Sequence, residues 1–115
     1  MYKPSKKDLV VLNQEVGETG RWGNESSMDF SFGIINQKKP WLQELSYLVR
    51  SLLVDHAFQD GNKRTALTLI LTYFYNHEVE CDKQKMVHVV HKIAKKNIKD
   101  INKTVRMMED GIVRG

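Results

Sequence analysis

The sequence predicts an all-α fold, and three observations carry that prediction. Apolar residues recur at three- and four-residue intervals along most of the chain. Residues suited to starting helices stand in front of these runs: Ser5, Pro40, Asp82 and Asp100. One stretch, 66–75, holds only Thr68 and Thr72 among otherwise apolar or aromatic residues, the pattern of a buried central helix. At 115 residues the chain is expected to be one domain, 1–115. A chain of this size buries roughly two-thirds of its unfolded surface and needs no covalent staples. Its 41% hydrophobic and 28% charged residues are ordinary for a globular protein and exclude disorder.

Each element follows from local chemistry. Ser5, with Asp8 three residues on, resembles a capping box and opens a first helix carrying Leu9, Leu12 and Val16. From 17 to 33 the pattern changes. Gly17, Gly20, Gly23 and Gly33 punctuate a polar stretch in which Arg21, Trp22, Met28, Phe30 and Phe32 are dispersed. Phe30 and Phe32 alternate about Ser31, which predicts a short extended piece, so this segment reads as a loop or small hairpin, a β-like flap. Loops of that length are often functional. Pro40 begins the next helix, where its missing N–H is harmless. Trp41, Leu42, Leu45, Leu48, Val49, Leu52 and Leu53 form its apolar face through Asp55. A polar segment, 58–62, interrupts the pattern before a helix from about 62 to 76. Asp82 caps a helix with Met86, Val89, Val90 and Ile93 on one side. Asp100 caps the last, with Ile101, Val105, Met108 and Ile112 toward the core.

Composition narrows the function classes. The net charge of +4 permits binding to polyanions without requiring it. Lys92, Lys95, Lys96, Lys99 and Lys103 lack interleaved stacking aromatics, so they read as a solvated face and nucleic acid is not expected as a partner. The single Cys81 excludes a disulfide framework and a multi-cysteine zinc site, and it reads as a structural thiol. The first eight residues are polar and lysine-rich, and the longest apolar stretch is far short of the ~20 residues a membrane helix needs. The expectation is a cytoplasmic protein with no membrane partner. His88 and His91 lie three apart with no third ligand nearby, which reads as a surface pair. Trp22 and Trp41 read as packing or flap contacts.

The informative segment is 56–66, His-Ala-Phe-Gln-Asp-Gly-Asn-Lys-Arg-Thr-Ala, between two strongly apolar helices. A polar loop wedged there must find partners for its backbone and charges. A bound anion would supply them. Gly61 permits backbone closed to other residues, and the helix after it presents free first-turn N–H groups at the positive end of its dipole. Lys63 and Arg64 add two cations where the dipole would repel them, an arrangement that suits a phosphate. Asp60 could hold Mg²⁺ beside phosphates, His56 could take a proton from an incoming hydroxyl, and Phe58 would pin the loop to the core. Taken singly, Asn62 is also a helix N-cap, Asp60-Gly61 a turn and His56 a surface histidine. A Walker loop is excluded, because Gly61 is followed by Asn62 and no strand precedes it.

Residues His56, Phe58, Asp60, Gly61, Asn62, Lys63 and Arg64 fill every fixed position of His-x-Phe-x-Asp/Glu-Gly-Asn-Gly/Lys-Arg. The chain therefore resembles the Fic/Doc (Fido) family. The motif spans about a tenth of the chain, and the helical pattern and the aromatic-bearing segment before it extend the likeness over most of the rest. The resemblance implies a compact Fido-type helical bundle with His56 as general base and Asp60 as the Mg²⁺ ligand. It implies that Gly61, Asn62, Lys63 and Arg64 hold the phosphates of ATP, and that a flap over 21–32, with Arg21, Trp22, Phe30 and Phe32, aligns a target protein. AMP-transferring members usually have Gly in place of Lys63 and a second Arg at the position of Leu67. Lys63-Arg64-Thr65-Ala66-Leu67 is instead similar to the death-on-curing toxin branch, which implies transfer of phosphate from ATP to a Ser or Thr of a target protein. A translation elongation factor is the first candidate target. AMP transfer is the alternative, and a catalytically silent basic binding module the second. The family's inhibitory Ser/Thr-x-x-x-Glu pattern is not matched, since Thr104 and Glu109 are one residue too far apart. An antitoxin supplied in trans is therefore expected.

Overall fold

The computed structural model describes residues 2–114. Six helices follow one another: α1 (Lys6–Glu15), α2 (Glu25–Ile35), α3 (Trp41–Leu53), α4 (Asn62–Asn76), α5 (Lys83–Lys96) and α6 (Ile101–Glu109). Among the described residues there is no strand, only isolated bridges between Trp22 and Phe58 and between Cys81 and Ile112. The all-α prediction holds.

The caps explain most of the boundaries. The Ser5 hydroxyl accepts from Asp8 N and the Asp8 carboxylate accepts from Ser5 N, a complete capping box. Asp82 and Asp100 accept from the N–H of Lys85 and Lys103. Pro40 stands one residue earlier than expected, as the N-cap of α3 with extended backbone. Trp41 packs rather than projects. Its indole meets Phe74 edge-on at 5.1 Å and stacks on His77 at 4.4 Å.

The hairpin expected within 17–33 is corrected. Phe30 and Phe32 lie in helix α2, whose N-cap Asn24 accepts from Ser27 N. The physical reason is the burial of Met28, Ser31 and Ile35 at helical spacing, a stronger constraint than the local alternation about Ser31. Serines weld this helix to α3. Ser31 Oγ and Ser51 Oγ are 2.6 Å apart, Ser27 Oγ donates to Ser51 Oγ at 3.0 Å, and Ser31 Oγ donates to the Tyr47 carbonyl at 3.1 Å.

The centre of the bundle is shared by two helices. α4 buries Thr65, Ala66, Leu69, Ile70, Tyr73 and Phe74, but leaves Leu67, Thr68, Leu71 and Thr72 half-buried and Tyr75 exposed. α3 is the more enclosed, with α2, α4, α5 and α6 all packed against it. The loop joining α3 to α4 thus leaves and re-enters the two most central elements, so its ends are rigidly placed.

Candidate active site

The α3–α4 loop is held by backbone bonds from the segment before α2. The Ala57 carbonyl accepts from both Gly23 N at 2.7 Å and Asn24 N at 2.9 Å, and Gln59 N donates to the Arg21 carbonyl at 3.0 Å. Ala57 N reaches back to the Ser51 carbonyl at 3.0 Å. Phe58 is buried and stacks on Trp22 with ring centroids 4.3 Å apart. Between these fixed points His56 is forced to φ +52°, an uncommon conformation for a side chain other than glycine, and its imidazole is exposed. Strain held in place by over-determined neighbours is typical of functional positions.

Asn62 closes the loop on itself. Its Oδ1 accepts from Phe58 N at 3.0 Å and its Nδ2 donates to the Phe58 carbonyl at 2.9 Å. That side chain is committed to loop geometry, which leaves its backbone N–H for an anion. Gly61, at φ +76°, is the N-cap of α4, and no side chain caps the first turn. A side chain at Gly61 would be strained and would also run into Glu18.

Asn13 is the residue the sequence reading missed. It is buried in α1; its Nδ2 donates to the Asp60 carbonyl at 2.9 Å and to Thr65 Oγ1 at 3.1 Å, and its Oδ1 accepts from Gly20 N at 2.8 Å. One amide thus joins three segments. The signal available was its place four residues after Leu9 on the same helix face.

These constraints shape a cavity of about 530 Å³ lined by Leu53, His56, Gln59, Asp60, Gly61, Asn62, Lys63, Arg64, Leu67, Val87, Val90, His91 and Ala94. It has two chemically distinct sides. One carries the uncapped start of α4 with Lys63 and Arg64, next to Asp60 and His56. The other is an apolar wall of Leu53, Leu67, Val87, Val90 and Ala94. Positions 87, 90, 91 and 94 form one stripe of α5, so His91 is a cavity residue on that wall, while His88 faces elsewhere. Such a space suits a flat apolar group joined to a polyanion.

The remaining sites expected from sequence divide. Arg21 and Trp22 adjoin the loop through the bonds above, although Trp22 is committed to stacking on Phe58. Phe30 and Phe32 do not line the cavity: Phe30 is exposed on α2, and Phe32 packs toward a groove with Lys3, Ser5 and Tyr73. Cys81 also lies outside the cavity, and burial pushes its thiol pKa up, consistent with a structural thiol.

No group of three His, Cys, Asp or Glu among the described residues makes a metal cage. The donor set fits an ion that arrives with phosphates: Asp60 offers an exposed carboxylate with no ion-pair partner among the described residues, and Mg²⁺ normally uses one or two carboxylates plus phosphate oxygens and waters.

No curated protein matches the sequence. A family model described as the Fic/DOC family matches residues 15–74, from the end of α1 through nearly all of α4. That match covers more than half of the chain and includes the whole loop, and the chain belongs to the Fic/DOC family.

Proposed function

We propose that this Fic/DOC chain is an ATP-dependent protein-modifying transferase that moves the γ-phosphate to a Ser or Thr hydroxyl. The observation that carries the choice of group is the distribution of charge in the cavity. Both cations, Lys63 and Arg64, sit at the start of α4, and one turn on the wall is apolar at Leu67. Phosphoryl transfer needs its positive cover concentrated around the phosphoryl group in flight. AMP transfer needs a second cationic anchor for the departing pyrophosphate, and Leu67 supplies none.

In this reading the nucleoside packs on the α5 wall and the triphosphate reaches the start of α4. Backbone N–H groups of the first turn, Lys63 and Arg64 hold its oxygens. Asp60 would hold Mg²⁺, which when bound neutralises phosphate charge. The exposed imidazole of His56 takes the proton from the target hydroxyl as its oxygen bonds to the γ-phosphorus. The bond from that phosphorus to the β–γ bridging oxygen breaks, and ADP leaves. Arg21, whose carbonyl accepts from Gln59 N, would meet a target segment entering beside the loop. The target, a translation elongation factor in the first instance, an antitoxin acting in trans and a cytoplasmic setting belong to the same proposal. Among the described residues no helix is long and apolar enough to cross a membrane.

The test is incubation of the protein with Mg²⁺ and ATP labelled separately at the α- and γ-phosphates, in cell lysate and with purified elongation factor. Label on protein from γ-labelled ATP alone is expected. Label from α-labelled ATP alone would replace phosphate transfer by AMP transfer, and no label from either would favour a silent binding module.

A further inference from the structure

We propose that Glu18 is a positioning residue for Arg64, an inference that rests on reading Arg64 as a phosphate-binding group. Both terminal nitrogens of Arg64 are engaged: Nη1 donates to the Val16 carbonyl at 2.9 Å and Nη2 pairs with Glu18 Oε2. Arg64 itself is 61% exposed, so without these partners its head would sweep freely through solvent. Glu18 is only 21% exposed, and its backbone N–H donates to the Asn13 carbonyl at 3.1 Å. Its stem lies so close over Gly61 that a Cβ there would collide with Glu18 Cγ.

The side from which Glu18 approaches decides its role. Arg64 and Gly61 line the cavity, and Glu18 and Val16 do not. The carboxylate thus holds the guanidinium from a residue outside the cavity lining. Each terminal nitrogen of a guanidinium carries two N–H groups and Nε a fifth. One hydrogen on each terminal nitrogen is used by Glu18 and Val16, and the others remain for phosphate oxygens. Fixing the guanidinium plane before the ligand arrives is the function assigned to Glu18, because two-pronged recognition of phosphate depends on that plane.

Three substitutions separate geometry from charge. Glu18→Gln removes the charge and keeps an acceptor at the same reach. Glu18→Asp keeps the charge and draws the acceptor back. Glu18→Ala removes both. Binding of Mg·ATP is measured directly by titration calorimetry, independently of transfer, with thermal unfolding midpoints as a folding control. Positioning predicts that Asp and Ala weaken binding by roughly 10-fold or more, the scale on which losing an orienting partner is felt, while Gln stays near the parent. In an Arg64→Ala background, Glu18→Ala should add no further loss. Several outcomes overturn the proposal: unchanged or tighter binding by the Ala variant, Asp behaving as the parent while Gln behaves as Ala, or a full further loss in the Arg64→Ala background. If Arg64→Ala weakens binding and Glu18→Ala does not, the phosphate reading of Arg64 stands and the positioning role falls. If Arg64→Ala leaves binding unchanged, both fall.

Discussion

His56 sits at φ +52°, where an L-residue other than Asn or Asp loses roughly 1–2 kcal/mol relative to its preferred backbone. Its exposed imidazole gains no packing in return. Glycine would relieve that strain, at the expense of about 0.5–1 kcal/mol of added chain entropy in the unfolded state. His56→Gly is therefore expected to unfold at the same urea midpoint as the parent or a higher one, while transfer falls by about 10²–10⁴. His56→Ala should lose transfer equally and keep ATP binding, since the phosphate contacts are untouched. Undiminished label transfer by either variant would remove His56 from its role. Asp60 tests the metal reading in the same way. Its backbone carbonyl, held by Asn13, ties it to the fold, and its carboxylate is exposed. Asp60→Ala should weaken Mg²⁺-dependent ATP binding and leave the unfolding midpoint nearly unchanged. Equal Mg·ATP titrations for variant and parent would make it a turn residue only.

Helix α1 reaches the site through Asn13, whose amide serves Asp60, Thr65 and Gly20 together. Asn13→Ala strands those partners, each loss of a buried partner being worth roughly 1–3 kcal/mol. A urea unfolding series should show a drop of that order at least, with faster amide exchange concentrated at residues 57–65. Exchange raised evenly over the whole chain would instead make Asn13 a general core residue. Asn13 also marks the boundary of what the sequence discloses. Elements α1, α5 and α6 were legible because caps and apolar periodicity agree in their segments, and α3 and α4 because their apolar runs are long. Helix α2 was hidden because its buried face includes Ser31, which meets Ser51 through hydroxyls, and such a match depends on a partner 20 residues away. The loop chemistry was legible because His56 to Arg64 are contiguous. The apolar wall was not: no local pattern states which helix faces meet, so nothing in the α5 segment by itself sets Val87, Val90 and Ala94 beside Leu53 and Leu67.

Across the molecule, the buried Tyr73 links α4 to the core, and burial first, then the charge of Glu44, raises its phenol above the ordinary value of 10.0. The folded state therefore keeps that proton more tightly than the unfolded chain. The contribution is whole below about pH 10 and is lost as pH climbs toward the raised value, so stability falls on the alkaline side. Tyr73→Phe should flatten the urea midpoint above pH 10, and an unchanged slope would assign alkaline unfolding to other groups. The remaining whole-molecule property is which phosphate the cavity exposes, since α3, α4 and α5 build that space jointly. Its cations are confined to Lys63 and Arg64, and the next turn of α4 presents Leu67 to the same space. A γ-phosphate at the α4 start gains cover where charge develops as it transfers. Lys63→Gly removes half of that cover and is expected to lower phosphoryl transfer at least ~10²-fold, the scale of losing one preorganised electrostatic contact. Leu67 is half-buried beside the α5 wall, so Leu67→Arg extends a guanidinium toward the cavity from a position that can accommodate its stem. Combined with Lys63→Gly, it supplies the second anchor that a departing pyrophosphate requires, and label from α-labelled ATP should then appear on target protein. If the unmutated chain already transfers α-label and no γ-label, the charge distribution does not select the group, and the apolar wall at Leu67 serves the nucleoside alone.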